Sequence, residues 1–516
     1  MSEALEVTSA PSIANGQALP LSEIPWLSEN DFRETVVRRV EAGGRLSALF
    51  GRPCEDDQRL RLIAVIADPL NATFHIAATE VGDRFRSLTP SCPQAHWFER
   101  EIAEQWGVVP EGHPWLKPLR FHPSYREGHD AWGRAVGETI LPGVQPAGTD
   151  YFKVEGEEIH EVAVGPIHAG VIEPGHFRFQ CHGEHVFTLE IELGFQHRAI
   201  ERRLIGGPHK RTPHYMETLC GDTTAGHATA YCQAVEALSR GEPPIRAQAL
   251  RGIALELERL ANHTGDLGAL AGDIGFLPTL SFCGRLRGDF LNTTAMICGN
   301  RYSRNLIRPG GVTCDVDDAL AEAMIAKVEV TLRDVEGAVD LLWKTPSVMA
   351  RFEETGQVSR QVARQLGLVG MAARASGVDC DARHDFPTGI YRFAQIPLSV
   401  VDSGDAFARA YVRWLEVQRS GKFVLDQMKS LPGGAVRGDV GKLAPDSLVV
   451  SMVEAWRGEI CHVAITDHEG RFAHYKVVDP SFHNWIGLAM SLRDQQISDF
   501  PLCNKSFNLS YCGHDL

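Results

Sequence analysis

The sequence contains no C-x-x-C pair among its twelve cysteines, no long uncharged apolar run and no excess of basic residues. Without paired cysteines the chain cannot supply conventional iron–sulfur ligands, and its scattered thiols suit reduced side chains in a cytoplasm-facing protein. The longest weakly charged stretch, Leu267 to Gly284, is interrupted by Asp273 and carries Gly268, Gly272, Gly275 and Pro278, so it reads as a buried segment rather than a membrane span. Fifty-one Lys and Arg against 66 Asp and Glu give a net charge of -15, which excludes a general phosphate-backbone binder; no nucleic acid is expected as a partner. No glycine-rich dinucleotide loop follows a strand, so NADH is not expected to bind here in the conventional way. The N-terminus lacks a basic segment followed by an apolar run, which speaks against a secretory signal; residues 1–28 are expected as a flexible lead-in.

The 516 residues, 44% of them hydrophobic, are enough for a sizeable core in two or three domains. Residues 29–125 read as a small α/β unit, with strands over Leu60–Ala67 and Asn71–Ala78 and a helix near His96–Gln105. Residues 126–154, rich in Gly, Pro, His and charge, are expected as a linker. From 155 to 516 the pattern predicts a larger domain. It opens with strands at Glu161–Val164 and His185–Glu192 and continues into long amphipathic helices over Ile245–Gly265, Val316–Lys344 and Ala406–Met428. Toward the C-terminus it returns to strands, with a hairpin of Cys461–Thr466 and His474–Val478 around Asp467-His-Glu-Gly470. The fold class is therefore α+β: a small α/β domain followed by a helical bundle with flanking β elements.

Several motifs occur in a fixed order: Gly165-Pro-Ile-His-Ala-Gly-Val-Ile-Glu-Pro-Gly-His-Phe-Arg178, Gly194-Phe-Gln-His-Arg-Ala-Ile-Glu201, Arg246-Ala-Gln-Ala-Leu-Arg251, Glu256-Leu-Glu-Arg-Leu-Ala-Asn-His263, Asp273-Ile-Gly275, Arg308-Pro-Gly-Gly-Val312 and Arg457-Gly-Glu459. Together they resemble the large subunit of [NiFe] hydrogenases, in particular the membrane-bound energy-converting group, and the forty-nine-kilodalton quinone-site subunit of respiratory complex I. Glu99 to Leu119 resembles the signature of the thirty-kilodalton complex I subunit. A chain fusing both modules in this order is similar to formate hydrogenlyase large subunits.

In hydrogenases of this superfamily nickel and iron are held by two C-x-x-C pairs. The resemblance places the first pair in Thr218-Leu-Cys-Gly-Asp-Thr-Thr-Ala-Gly-His227, where Cys220 is present and Thr223 stands at the second position. It places the second pair in Asn508-Leu-Ser-Tyr-Cys-Gly-His-Asp515, where alignment on Asp515 puts Ser510 and Gly513 at the ligand positions and Cys512 one residue out of register. One thiolate of four remains, so a nickel–iron centre is not expected, and no cofactor is expected on the chain's own ligands. Nor is a tail of the kind hydrogenases process expected beyond Leu516.

The resemblance also implies roles. The Gly165–Arg178 loop matches one that reaches toward the quinone in complex I, making His168 and His176 candidates for a proton or hydrogen bond to a quinone carbonyl; a loop packed on a partner subunit is the plainer alternative. Cys220 stands where a tyrosine binds the quinone headgroup in that relative, or is simply a small buried hydrophobe. Glu201, in a stretch where Ala199 replaces the family's glycine, is a candidate proton relay or a structural salt bridge. His227, Arg251, His263, Asp273, Arg308 and Arg457 match recurring positions and should be paired or face a polar cavity. Asp273 and Arg457 are the stronger cavity candidates, with His227 and Arg457 possible contributors to a quinone or acceptor site. Lys505 could place a cation where the metal would stand, or lie at the surface. The implied partners are a small subunit with an iron–sulfur cluster, docked on the Gly165 loop and the Cys220 segment, and antiporter-like membrane subunits. The chain would then sit peripherally on the cytoplasmic side. Two readings stay open: an oxidoreductase subunit passing electrons to a quinone or similar acceptor, coupled to ion movement, and a redox-inactive scaffold of an ion-translocating assembly. A functional hydrogenase is a third.

Overall fold

The computed structural model describes residues 10–54, 59–133, 151–168 and 172–516. Near the N-terminus, Arg45–Pro53, Leu60–Asp68 and Thr73–Val81 form an antiparallel meander. Ser12–Ala14 adds to it antiparallel and Trp26–Leu27 parallel, both along Thr73–Val81. The expected strands are thus present and each extends past the expected end. Leu60–Asp68 is buried on both faces, which explains its continuous rather than alternating apolar run. The Glu29–Glu41 helix is capped by Ser28, whose hydroxyl accepts from the Asp31 amide. The His96–Trp106 helix is buried from Trp97 onward and ends at Gly107, where φ is 67° and a Cβ would come within 2.6 Å of the His129 carbonyl carbon.

The lead-in expected over 1–28 is sheet from Ser12 onward. Ile13, Leu19 and Ile24 are buried, and Ala18–Pro20 forms the edge of a second sheet, pairing with Ser447–Glu454 near the other end of the chain. That sheet runs Phe472–Val478, Glu459–Thr466, Ser447–Glu454, Ala18–Pro20, all antiparallel. The expected hairpin forms one end of it. The return to strands is followed by further helices, Pro480–Ser491, Phe500–Phe507 and Tyr511–Asp515, which carry the chain back toward the site. Of the stretch expected as linker, residues 134–150 lie outside the described residues. The two units on either side share one apolar core, in which Phe50 and Phe98 of the first join Phe177, Val463 and Trp485 of the second.

The helical part matches the expected periodicity with shifted ends: Ile245–Asp273, Asp318–Trp343 and Ala406–Lys429. Leu277–Cys298 adds a helix; of the stretch expected as buried, Leu267, Leu270, Ala271, Thr279 and Cys283 are buried, whereas Leu277 and Phe282 in the first turns of this helix are more than half exposed. Among the described residues no helix is long and apolar enough to cross a membrane. Inside the bundle lies a charged cluster. Arg374 binds Glu416 and Glu454 at 2.5 and 2.7 Å, and His263 meets Glu416 at 2.7 Å. Arg259 Nη1 and Nη2 donate to the carbonyls of Ala455 and Glu454, 2.9 and 2.8 Å away. Those two bonds fix the turn that carries Arg457.

Candidate functional site

Three chain reversals meet at one point. Cys220 and Asp222 precede the Thr224–Ser239 helix, with Thr223 as its N-terminal flanking residue. Arg457 sits on the turn between Ser447–Glu454 and Glu459–Thr466. Ser510 caps Tyr511–Asp515, its hydroxyl accepting from the Gly513 amide at 2.9 Å. Arg457 clasps the Asp222 carboxylate with two bonds of 2.6 and 2.9 Å, donates to the Asn508 carbonyl at 2.6 Å, and stacks 3.8 Å over Trp456. Its Nη1 lies 3.3 Å from Cys220 Sγ. The Cys220 thiol is also 3.0 Å from Asp222 Oδ1, 3.1 Å from Ser510 Oγ and 3.4 Å from Thr223 Oγ1. Ser510 Oγ in turn is 3.4 Å from Cys512 Sγ.

Burial alone would raise the Asp222 carboxyl, but Arg457 outweighs it and holds the group at about 2. The Cys512 hydrogen bond, burial and the Asp222 charge push the Cys220 thiol well above its ordinary value. The same bond draws Cys512 down. Among the described residues no group of three or more His, Cys, Asp or Glu side chains is arranged to hold a metal ion.

Behind this cluster runs a buried polar chain. Asp479 caps the Pro480–Ser491 helix and meets His227 Nε2 at 3.1 Å. His227 Nδ1 is 3.1 Å from His462 Nε2, whose Nδ1 is 2.9 Å from the Tyr475 hydroxyl. Gly513 abuts the same aspartate: a Cβ there would stand 2.7 Å from Asp479 Cγ.

Of the expected site residues, Cys220 and Arg457 meet directly and His227 joins through Asp479. His168 bonds back to its own loop, Nε2 lying 2.9 Å from the Gly175 carbonyl oxygen. The buried His176 likewise meets the Gly165 carbonyl at 3.2 Å. Gly170, between them, lies outside the described residues. Asp273 is exposed at the end of its helix, away from the hydrogen bonds that join Cys220 and Arg457; its carboxyl is raised, because partial desolvation outweighs the opposing charge of Lys505. Lys505 is half-buried, and its charge acts on the Asp273 carboxyl. Glu201 accepts from the Val477 amide at 2.9 Å and pairs with Lys476 at 3.0 Å, bordering a cavity of about 330 Å³ shared with Trp106, Tyr125 and His474. Arg251 is paired with Glu236, and Arg308 with Glu217, as buried charges require. Sequence reasoning passed over Asp222, Asp479 and His462. The position of Asp222 two residues after Cys220, and Asp479 before Pro480 as a helix-start signal, were the available cues.

The chain matches the models of the respiratory-chain NADH dehydrogenase 49 Kd subunit over residues 273–447 and 30 Kd subunit over residues 35–131. Formate hydrogenlyase subunit 5 of Escherichia coli (strain K12) is 27% identical, over 91% of this chain and 84% of its own. The carbon monoxide-induced hydrogenase of Rhodospirillum rubrum is 30% identical, over 68% of this chain and 97% of its own. The C/D fusion polypeptide of NADH-quinone oxidoreductase from Bdellovibrio bacteriovorus is 26% identical, over 74% of this chain and 67% of its own. The chain belongs to the family of complex I 49-kDa subunits and membrane-bound hydrogenase large subunits, in the form that carries a 30-kDa-like domain ahead. It is a complex I-like subunit, related to oxidoreductase assemblies that contain further subunits.

Proposed function

We propose that this subunit accepts electrons from an iron–sulfur cluster on a small partner subunit and passes them to a quinone or similar acceptor, coupled to ion translocation and without a nickel–iron centre. Membrane subunits would lie below it, with this chain on the cytoplasmic face. The observation that carries the proposal is the donor set at the metal position. Cys220, Thr223, Ser510 and Gly513 stand where four thiolates are expected. The two hydroxyls are already engaged, Thr223 with the Cys220 sulfur and Asp222, and Ser510 with the Cys220 sulfur and the Gly513 amide. Arg457 presses a guanidinium against the one sulfur in register, and Asp479 closes the space beside Gly513. Neutral hydroxyls and a fixed cation do not fit a soft-metal centre. On this reading the chain's own residues bind and orient: Arg457 offers a cation edged by the Asp222 carboxylate, and the Asp479–His227–His462–Tyr475 chain can hold or move a proton within the core. His168 would turn from the Gly175 carbonyl to meet the acceptor.

The test is quinone reduction by the intact complex, assayed with a short-chain ubiquinone. His168→Ala should lower turnover at least tenfold while leaving assembly intact. Unchanged turnover would overturn the assignment of His168, and absence of quinone reduction in the parent complex would favour the scaffold reading.

A further inference from the structure

Two cysteines from distant parts of the chain converge where the family's metal would stand, although only Cys220 is in register for it. The Ser510 hydroxyl touches both sulfurs, 3.1 Å from Cys220 and 3.4 Å from Cys512. Cys220 is buried, whereas Cys512 is half-buried and opens toward the Ile172–Gly175 side, where Glu173 lies 3.4 Å from its amide. Arg457 stands against the Cys220 sulfur at 3.3 Å, a cation able to steady negative charge on the pair during reaction. Neither thiol has a structural task that needs a sulfur: Ser510 already caps its helix and Arg457 already has Asp222.

We infer that Cys220 and Cys512 form a dithiol–disulfide couple that works as the redox group at this position. The inference rests on the reading of the chain as an electron-transferring subunit. In the oxidising half, two S–H bonds break and one S–S bond forms; the two electrons and two protons pass to a quinone-class acceptor, which leaves as the hydroquinone. In the reducing half, a one-electron iron–sulfur cluster on the partner subunit supplies two electrons in succession, the S–S bond breaks, and two protons return to the sulfurs. Closure needs the sulfurs to approach to about 2.05 Å, and the Ser510 hydroxyl to give up its contacts with both thiols. Cys512, in the first turn of a helix five residues long, is the partner placed to rotate.

The experiment is an anaerobic titration of the intact complex in glutathione redox buffers, with acid quench, differential alkylation and peptide mass spectrometry. The expected result is a linked peptide pair carrying Cys220 and Cys512 that appears with a two-electron slope, and is absent from Cys512→Ser and Cys220→Ser. Cys461→Ala, at a buried cysteine outside the cluster, should leave the titration unchanged. If both thiols remain alkylatable at the most oxidising poise, or pair with other cysteines, the inference is overturned. A second arm separates it from the acceptor reading. Reduced complex given a short-chain ubiquinone should lose the two thiols in step with quinone reduction, and Cys512→Ser should slow that reduction at least tenfold. Full quinone turnover in Cys512→Ser would overturn the couple alone; an intact titration without quinone reduction would overturn the acceptor alone.

Discussion

Ala199 has φ of 54°, a left-handed conformation that costs an alanine about 1 kcal/mol and a glycine almost nothing. The departure from the family's glycine was therefore visible in the sequence, while the backbone strain that gives it meaning was not. Cys512 shows the opposite. Register alone excluded it, yet its side chain reaches the cluster because Ser510 starts a tight helical turn there, and neither the turn nor the direction of a side chain is written in spacing. Glu101 offers a sharper test of the buried charges. Burial would raise its carboxyl, but Lys476 and Arg120 hold it at about 2, below its ordinary 4.5. A carboxyl lowered in the folded state adds stability that is complete above about pH 4.5 and is lost as pH falls toward 2. Glu101→Gln, which leaves Lys476 with Glu201 alone and Arg120 with the His514 carbonyl, should cost up to about 3 kcal/mol at neutral pH and flatten that acid limb, as followed by urea unfolding between pH 3 and 7. His474 titrates with the other sign of charge: burial, helped by Arg52 and Lys476, holds it neutral down to about 3. It therefore weakens the fold as pH drops below its ordinary 6.5. His474→Phe should remove up to about 1.4 kcal/mol of destabilisation per pH unit below 6.5, read from melting temperatures at pH 7.5 and 5.5.

Helices and strands were legible wherever one face repeats, and their ends were not. The Ile245–Asp273 helix outruns its expected end because Gly265, Gly268 and Gly272 read as breaks, whereas they let the Leu277–Cys298 helix approach: a Cβ on Gly268 would stand 2.7 Å from Cys283 Cβ. Tertiary approach, absent from a single sequence, overrides the local penalty of glycine. The turn carrying Arg457 depends on a similar approach, since Gly370 lies against Gly458 with φ of 61°, and a Cβ there would collide with the Gly458 Cα and the Arg457 carbonyl. Gly370→Ala should displace that turn, lowering stability by about 1–3 kcal/mol and loosening the Arg457–Asp222 pair. Thermal unfolding together with hydrogen exchange at residues 455–458 would show it. A variant as stable as the parent would mean that the turn does not depend on this contact.

The whole molecule is tied end to end. Gly194 and Gln196 amides donate to the Asp515 carboxylate at 2.8 and 2.9 Å, and Ala18–Pro20 closes the edge of the sheet that holds His462 and Tyr475. Division into a lead-in, a small domain and a large domain could be drawn from composition, but the shared core could not, since pairings across hundreds of residues leave no local pattern. Removing residues 1–20 should bare the Ser447–Glu454 edge and the pocket of Leu19, so the truncated chain should melt at lower temperature and exchange faster at residues 447–449. The family, by contrast, was legible in ordered motifs, and the thiolate count on which the proposed absence of a nickel–iron centre rests was read from the same motifs. The most direct test of that central claim is the nickel and iron content of the complex purified intact from membranes, with hydrogen uptake assayed on the same sample. Iron from the partner's cluster, with nickel far below one per chain and no hydrogen turnover, is the predicted result. Nickel near one per chain with hydrogen turnover would contradict the account.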